Sequence, residues 1–303
     1  MNRLNQLRMG SCLLLICVLL TSCSPPVGNP SSDRIPNFDH VVWIVFENRD
    51  YDTVIGSADM PFINALAEKD TLLSRYTAIQ HPSLPNYLAL IGGDTFGVNN
   101  DCIDCFIDQP SLPDLMEAAG LSWKTYQEDM PSACFVGNAD QYVQKHNPFV
   151  YFDAIRLDAE RCQRSVVPLS MLEADLAADT LPNFAFITPN LCHSGHDCDS
   201  AAVDQWLADL FTDLQDHPAL GENSLIVVTY DEGLDEGLID RLLDRAGGQV
   251  VTILVSPLAK PAFKDDTPYN HYSLLKTLLL AWDLPDLANT KSVWVTPITQ
   301  VWK

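Results

Sequence analysis

The chain has 303 residues, of which 47% are hydrophobic, 19% are charged and 9% are aromatic. This composition excludes an intrinsically disordered chain, a collagen-like repeat and a polytopic membrane protein. Asp and Glu number 40 against 18 Lys and Arg, which gives a formal net charge of −22. A surface this acidic repels phosphate backbones, so we expect no nucleic-acid partner, and no protein partner is predicted. An anionic substrate would need another source of attraction, such as a bound metal ion.

The first 22 residues have the pattern of a secretory signal. Arg3 and Arg8 precede an apolar run over 13–20, which is too short to span a bilayer as a helix. The run ends in Leu20-Thr21-Ser22-Cys23, which resembles a bacterial lipobox and implies cleavage before Cys23 and diacylglycerol attachment to its thiol. An ordinary signal peptide with a coincidental cysteine is the alternative. We therefore expect an exported protein, lipid-anchored to the bacterial cell envelope at its periplasmic or extracellular face.

Residues 23–36 are rich in Ser and Pro and are predicted to form a flexible tether, which leaves 37–303 as one domain. Six cysteines follow Cys23, and an even number in an exported chain suggests up to three disulfides with 15 possible connectivities. The short separations favour the pairs Cys102–Cys105 and Cys192–Cys198, leaving Cys134–Cys162. The alternative for one pair is a zinc site, because His193 and His196 lie between Cys192 and Cys198.

Apolar runs and amphipathic segments alternate along the rest of the chain. Buried strands are predicted over 41–46, 184–187, 225–230 and 250–255. Helices are predicted over 61–69, 112–119, 170–178, 201–215 and 272–282. This alternation indicates an α/β fold in which helices cover both faces of a sheet. Active sites of such folds collect beyond the carboxyl ends of the strands.

Two of the predicted strands are followed directly by a pair of polar residues that includes at least one carboxylate. Glu47 and Asn48 follow the first strand, and Asp231 with Glu232 follows the third. Their oxygens are suitable ligands for a hard or borderline cation, although a solvated loop is the alternative for the first pair. The similar pair at 235–236 does not adjoin a strand and is predicted to begin a solvated helix.

Three further segments carry groups that could act in catalysis. Ser83 lies where a loop enters a short helix with Pro85 in its first turn, so it could cap the helix or act as a nucleophile at the positive end of its dipole. The loop after the second strand contains two histidines and two aspartates over 193–199, a density that favours a functional role. His271 begins the last helix as a capping residue, a phosphate contact or a metal contact.

These residues occur in short motifs that, taken in order over residues 38–282, resemble the phosphoesterase family of the alkaline phosphatase superfamily, and its acid phosphatase branch in particular. The motifs are Glu47-Asn48 with Tyr51-Asp52, His81-Pro82-Ser83-Leu84-Pro85-Asn86-Tyr87 with Gly92-Gly93-Asp94, Tyr126 to Pro131, Lys145-His146-Asn147-Pro148, Ile187-Thr188-Pro189-Asn190, Gly195-His196-Asp197, Asp231-Glu232 and Tyr269-Asn270-His271-Tyr272-Ser273.

The resemblance implies a three-layer α/β/α sandwich with a mostly parallel central sheet. It further implies metal-assisted hydrolysis of a small phosphorylated substrate, a phosphate monoester, in which Ser83 becomes phosphorylated. Carried over residue by residue, it makes Glu47 and Asn48 metal ligands or phosphate contacts, and Asp231 and Glu232 complete the ligands of a divalent metal ion of unknown identity. His196 and His271 match catalytic positions that contact the phosphate or a second metal. Asn86, Lys145 and His146 are expected on the phosphate side.

Two other functions compete with this interpretation. A phosphodiesterase or phospholipase C is the first, but the phospholipase branch usually has an arginine after the Pro-Asn pair, and this chain has Tyr87. A non-catalytic lipoprotein that binds phosphorylated ligands is the second. Such a protein would be expected to lack the serine or a carboxylate, and this sequence has them all. A histidine of ordinary pKa, His196 or His271, could protonate the leaving group at mildly acidic pH.

Overall fold

The computed structural model describes residues 35–215, 217–234 and 247–303. The predicted signal peptide, the lipidation site Cys23, all but the last two residues of the tether and the acidic pair at 235–236 lie outside these ranges. Residues Ser31–Lys303 cluster as one compact unit. In the described part of the chain, none of the helices has the length and apolarity needed to cross a bilayer.

A mixed sheet of eight strands, in the order β5-β4-β6-β1-β7-β8-β2-β9, forms the centre of the fold. The strands are β1 (His40–Phe46), β2 (Thr71–Leu73), β3 (Tyr76–Thr77), β4 (Trp123–Gln127), β5 (Val166–Pro168), β6 (Phe184–Thr188), β7 (Ser224–Tyr230), β8 (Thr252–Val255), β9 (Phe263–Asp265) and β10 (Tyr269–Asn270). Only β8 runs against its neighbours β7 and β2, and β3 pairs separately with β10. The mostly parallel sheet is therefore confirmed.

The helices join the strands and cover them. The α-helices of the described ranges are α1 (Tyr51–Val54), α2 (Pro61–Lys69), α3 (Ser83–Gly92), α4 (Leu112–Ala118), α5 (Asp153–Arg156), α6 (Ala159–Ser165), α7 (Met171–Ala177), α8 (Ser200–Leu214) and α9 (His271–Ala281). Shorter 3-10 helices span Gln144–His146, Pro148–Tyr151, Pro218–Leu220 and Ala288–Lys291.

Aromatic contacts show that helices cover both faces of the sheet. On one face, Trp43 of β1 contacts Phe186 with ring centroids 6.4 Å apart, and Phe186 in turn contacts Tyr87 of α3 at 6.3 Å. Phe46 lies three residues after Trp43 and so points to the opposite face, where its ring meets Trp206 of α8 at 5.8 Å. These contacts give the three layers that were expected.

The five predicted helices and four predicted strands are all present, with ends within two residues of the prediction. Several short strands and helices were not predicted. β4 is an example: its sequence WKTYQ lacks a long apolar run, and Lys124 is accommodated by pairing with Asp175 at 2.6 Å. A buried strand that contains polar residues is missed by sequence analysis when the partners of those residues come from distant parts of the chain.

Three disulfides form with the predicted pairing. Cys102–Cys105, Cys134–Cys162 and Cys192–Cys198 have Cα atoms 5.8, 5.2 and 4.6 Å apart. Since the sulfurs of Cys192 and Cys198 are bonded to each other, they are not thiolates free to ligate zinc. The loop that carries His193 and His196 is closed covalently.

Candidate active site

Three carboxylates meet at the carboxyl ends of two neighbouring strands. β1 and β7 pair in parallel with Phe46 opposite Tyr230, so the residues that follow them emerge side by side. These residues are Glu47, Asp231 and Glu232, and one carboxylate oxygen from each lies within 4.8 Å of the others. All three side chains are buried. The strand register therefore produces a concentrated negative charge out of contact with bulk water.

Ser83 faces these carboxylates from the N-terminus of α3. The helix begins at Ser83, so its N-cap residue is Pro82 and not Ser83, and Pro85 lies in its first turn. Its hydroxyl instead donates to Glu47 Oε1 at 2.7 Å and lies 3.1 Å from Glu232 Oε1. The position places the oxygen at the positive end of the helix dipole, which stabilises negative charge.

A cationic group approaches the same oxygens from the 3-10 helix Gln144–His146. Lys145 Nζ lies 2.7 Å from Glu47 Oε1 and 3.2 Å from Ser83 Oγ. His146 Nε2 lies 3.0 Å from Glu47 Oε2, and its ring stacks on Tyr87 with centroids 5.3 Å apart. Burial alone would raise the pKa of Glu47, but His146 and Lys145 outweigh it and hold that pKa well below its usual range.

The pKa values of the other two carboxyl groups, Asp231 and Glu232, are raised. Burial raises the pKa of Asp231 well above its usual value, and the like charges of Glu232 and Glu47 raise it further. Burial also raises the pKa of Glu232, against the opposing effects of His81 and Ser83. Lys145 acts on Asp231, and His81 acts on Glu232, but in neither case does this outweigh burial as it does for Glu47.

The donor set fits a divalent cation. Asp231 Oδ2 is buried without a hydrogen-bond partner among the described residues, whereas Glu47 Oε2 is paired with His146 Nε2 at 3.0 Å. Buried carboxylate oxygens are expected to be paired or to coordinate a metal. Clustered oxygen ligands of this kind favour a hard or borderline ion, and one cation would satisfy Asp231 Oδ2 and offset the repulsion between the three carboxylates.

The structure ties His271 to this cluster through the backbone. His271 is fully buried at the start of α9, with Nε2 2.6 Å from the carbonyl oxygen of Asp231 and Nδ1 3.0 Å from the hydroxyl of Tyr76. Burial lowers the pKa of His271 to about 4, against the effect of its hydrogen bond to Asp231. A neutral imidazole with both nitrogens engaged is suited to holding Asp231 in position.

Asn86 shapes the loop that precedes Ser83. Its Oδ1 accepts hydrogen bonds from the backbone N–H groups of Ile79 and Gln80 at 2.9 and 3.2 Å, and its Nδ2 donates to the carbonyls of Gln80 and Pro82. The amide is buried and both ends are used, so Asn86 fixes the backbone at the entrance to α3.

Two predicted site residues are not joined to the carboxylates by any hydrogen bond or ion pair among the described residues. His196 is exposed and its Nδ1 contacts Asp197 Oδ1 at 2.6 Å. Asn48 is half-buried with φ 53°, and its carbonyl accepts from Arg49. The loop that carries His196 reaches the site through its backbone, because the carbonyl of Ser194 accepts the N–H of Glu47 at 3.0 Å.

Two residues without an assigned role in the sequence analysis contact the site. His81 Nδ1 lies 2.7 Å from Glu232 Oε2, and its position two residues before Ser83 is a signal that could have been used. Asp101 Oδ1 accepts the N–H of Leu84 at 3.0 Å, and its Oδ2 lies 3.3 Å from Lys145 Nζ. No local pattern marks Asp101, because its contacts exist only in the folded chain.

Comparisons with known proteins agree with this geometry. The sequence model described as Phosphoesterase family matches residues 57–285. A phosphate-repressible acid phosphatase of Penicillium chrysogenum is 35% identical over 82% of this chain and 60% of its own length. A phosphatidylinositol-3-phosphatase of Mycobacterium tuberculosis is 33% identical over 92% of this chain and 87% of its own length.

The fungal acid phosphatases are longer proteins, and this chain spans about 60% of the length of the first of them. Among solved structures, murine ectonucleotide pyrophosphatase/phosphodiesterase 5 superposes with a TM-score of 0.58 at 12% identity, covering 88% of this chain and all of that one. A protein of the alkaline phosphatase superfamily from Vibrio parahaemolyticus gives a TM-score of 0.57 at 12% identity, over 81% of this chain and 66% of its own. At this identity, the structural similarity concerns the fold.

Proposed function

Because the chain belongs to the Phosphoesterase family, we propose that it hydrolyses phosphate monoesters as an acid phosphatase, with a divalent metal ion and a phosphoserine intermediate. One observation carries the proposal: Ser83 Oγ lies 2.7 Å from Glu47 and 3.1 Å from Glu232, at a helix N-terminus and within reach of Lys145. A nucleophile, a cation-binding set and a positive group are therefore in contact. The acid phosphatases among its relatives support the same activity.

In the proposed reaction, Ser83 releases its hydroxyl proton to water, its Oγ attacks phosphorus, and the bond from phosphorus to the alcohol oxygen breaks. The alcohol leaves with the bonding electron pair and takes up a proton, and water then hydrolyses the phosphoserine to release inorganic phosphate. Glu47, Asp231 and Glu232 would hold the metal ion. Such an ion, when bound, lowers the pKa of a nearby hydroxyl and neutralises phosphate oxygens.

Lys145 has two functions in this proposal. Its ammonium, 3.2 Å from Ser83 Oγ, favours the deprotonated form of that oxygen and attracts the phosphate of an incoming substrate. The attraction matters because the chain as a whole has a net charge of −22. The site therefore supplies locally the positive charge that the protein surface lacks.

The two predicted histidines, His196 and His271, are not equally suited to donate a proton to the leaving group. Both nitrogens of His271 are engaged, which favours a positioning role for it. His196 is exposed, and no residue of the described ranges forms a hydrogen bond with its Nε2, so we propose His196 as the proton donor. Activity falls at high pH where a proton donor has lost its proton, so this alkaline limb of the pH–rate profile should disappear in His196→Ala and persist in His271→Gln. A persistent alkaline limb in His196→Ala would remove that role.

A specific observation also bears on the substrate. Gln144, next to Lys145, donates to the carbonyl of Ile103 at 3.0 Å, and its own N–H donates to Asn138 Oδ1 at 2.9 Å. Gln144 thereby ties two disulfide-bearing loops to the site, and these loops carry the exposed apolar side chains Ile103 and Val136. We propose that this apolar rim receives the hydrophobic part of a phosphate monoester. A phosphatidylinositol-3-phosphatase is among the relatives, which supports a lipid-like substrate.

The export of the protein remains part of the proposal. A signal peptide over 1–22, a lipid on Cys23 and a tether over 23–36 would hold the catalytic domain of residues 37–303 at the cell envelope. The three disulfides support an oxidising compartment. Mass spectrometry of the protein isolated from membranes should find the diacylglycerol on an N-terminal Cys23; an unmodified N-terminus after another cleavage site would contradict it.

The decisive test of the activity compares three samples of the chain from residue 24 onwards. These are the unmodified protein, Ser83→Ala and a chelator-treated sample, each assayed with p-nitrophenyl phosphate across pH 4–9. We expect activity only in the first, and recovery of the chelated sample on addition of a divalent metal. Mass spectrometry after an acid quench should detect a phosphate on Ser83.

Two results would overturn parts of the proposal. Activity that survives Ser83→Ala would mean that another group is the nucleophile. Absence of activity with every divalent metal would favour the phosphodiesterase or the ligand-binding alternative, and hydrolysis of bis-p-nitrophenyl phosphate would then separate those two.

A further inference from the structure

A cavity lined by described residues is formed by side chains other than the catalytic groups. It has a volume of about 800 Å³ and opens between α7 and α8, beside the segments 128–130 and 168–170. None of the catalytic or metal-binding residues proposed above lines it. We refer to it as the acidic cavity. A volume of this size is in the range that accommodates a drug-sized molecule.

Apolar side chains and carboxylates line the acidic cavity, and no Lys, Arg or His does. Leu172 and Leu176 of α7 and Leu210 of α8 provide buried apolar surface. Asp209 and Asp213 lie one turn apart on α8, with Glu173 on α7. All three acids are exposed, so they stand at the rim while the leucines form the floor.

The rim acids have no cationic partner. Within 35–215, 217–234 and 247–303, no Lys, Arg or His forms an ion pair with Glu173, Asp209 or Asp213. Like charges at i and i+4 on a helix destabilise it slightly, so Asp209 and Asp213 carry a small cost that a bound cation would remove. These negative charges disfavour the binding of anionic ligands.

One wall of the cavity is held in place before any ligand binds. Glu128 accepts hydrogen bonds from Trp206 Nε1 at 3.0 Å and from the N–H of Asn190 at 2.9 Å, and its Oε1 lies 2.9 Å from His193 Nδ1. The ring of His193 stacks on Trp206 with centroids 6.1 Å apart. A preorganised wall reduces the entropic cost of binding. This also gives His193 a role that its sequence neighbourhood did not suggest.

We propose that the acidic cavity is a binding site for a small amphipathic cation, an apolar chain or ring that carries an ammonium group. The leucine floor would cover the apolar part and the rim acids would contact the charge. The volume favours a small molecule over a peptide helix, which would need an extended groove.

The test uses decyltrimethylammonium as the probe, with decanoate as its anionic counterpart, in isothermal titration calorimetry at low ionic strength. The informative variant is Asp209→Asn/Asp213→Asn, which removes two rim charges and preserves side-chain size. The matched control is Glu68→Gln/Glu222→Gln, which removes two exposed charges outside the cavity. Turnover of p-nitrophenyl phosphate by both variants checks that the catalytic domain remains folded.

We expect the unmodified protein and the control to bind decyltrimethylammonium with equal affinity, and the rim variant to bind it about tenfold more weakly. Decanoate should not bind. Equal affinity in both variants would overturn the proposal, because the probe would then be adsorbing elsewhere. Binding of decanoate would overturn the charge selection, and tighter binding of a basic amphipathic peptide at this face would overturn the choice of a small ligand.

Discussion

The active-site cluster and the acidic cavity both bring carboxylates together, but the first is buried and the second is open to water. Glu47 has Lys145 at 2.7 Å and His146 at 3.0 Å, and its pKa is strongly lowered. Asp209 and Asp213 have no such partners among the described residues, and water screens their charges. In a chain with a net charge of −22, acidic residues often lie near one another. A reactive carboxylate is therefore distinguished by its burial and by its close contact with other functional groups.

The largest difference between the two regions should appear in catalysis. We expect Asp231→Asn to lower kcat for p-nitrophenyl phosphate by at least about a thousandfold, because it removes a proposed ligand of the metal ion. Asp209→Asn should leave kcat within about twofold. Adding a divalent metal after chelation should raise the melting temperature of Asp209→Asn but not that of Asp231→Asn. A metal-induced shift in Asp231→Asn would contradict the ligand assignment.

Lys145 provides the next test, since only the active-site cluster contains a cation in contact with the nucleophile. Lys145→Met should lower kcat/KM about a hundredfold and lower the free energy of unfolding by about 2–4 kcal/mol, because Glu47 would remain buried with His146 alone. The control is Lys124→Met, which breaks the ion pair between Lys124 and Asp175 at 2.6 Å, a pair that has no hydrogen bond to Ser83 among the described residues. That variant should keep its activity. Equal activity losses in the two variants, measured alongside urea unfolding, would indicate a general effect on folding.

In the absence of metal, removing a charge from the active-site cluster should raise the free energy of unfolding, although the same substitution lowers activity. The raised pKa of Asp231 means that the folded state binds its proton more tightly than the unfolded state, so this contribution to stability is lost as pH rises through the folded-state pKa. In chelator, Asp231→Asn should therefore be more stable than the unmodified protein, by about 1–2 kcal/mol at pH 8 and by less at pH 5.

Asp209→Asn is the matched substitution, and it should change the free energy of unfolding by less than about 0.5 kcal/mol at either pH. Urea denaturation at both pH values measures the comparison. If Asp231→Asn were the less stable protein throughout, the proposed repulsion between the three carboxylates would be wrong.

The sequence allowed the carboxylate cluster to be predicted because each of its members adjoins a strand. Glu47 follows β1 and Asp231 follows β7, and an apolar run fixes where each strand ends. The resemblance to the phosphoesterase family joined these two strand ends into one metal-binding set, and the structure shows that β1 and β7 are neighbours in the sheet. The sheet, its covering helices and the three disulfides were predicted on the same kind of local pattern.

Contacts set by loops were not accessible to the same reasoning. The density of polar groups around His193 and His196 suggested ligands, but His193 contacts Glu128 and His196 contacts Asp197. Conversely, Asp101 has no distinctive neighbours and still reaches Lys145 at 3.3 Å. Loop side chains take their direction from disulfides and distant hydrogen bonds, so composition alone does not reveal which group they meet.

The smallest expected effect concerns the apolar rim. Ile103 is 51% exposed and its backbone is tied to Gln144, so Ile103→Ser should leave folding and p-nitrophenyl phosphate turnover unchanged. For decyl phosphate below its micellar concentration, we expect kcat/KM to fall about five- to tenfold, mainly through KM, because part of the alkyl chain loses its apolar contact.

The control for this substitution is Val293→Ser, which removes a side chain that is 86% exposed near the C-terminus. It should not change kcat/KM for either substrate. A parallel loss for decyl phosphate in both variants would mean that the alkyl chain adsorbs to any exposed apolar side chain. Since Ile103 is linked through Gln144 to Lys145, a selective loss would instead assign the recognition of the substrate's hydrophobic part to the loops that surround the phosphate site.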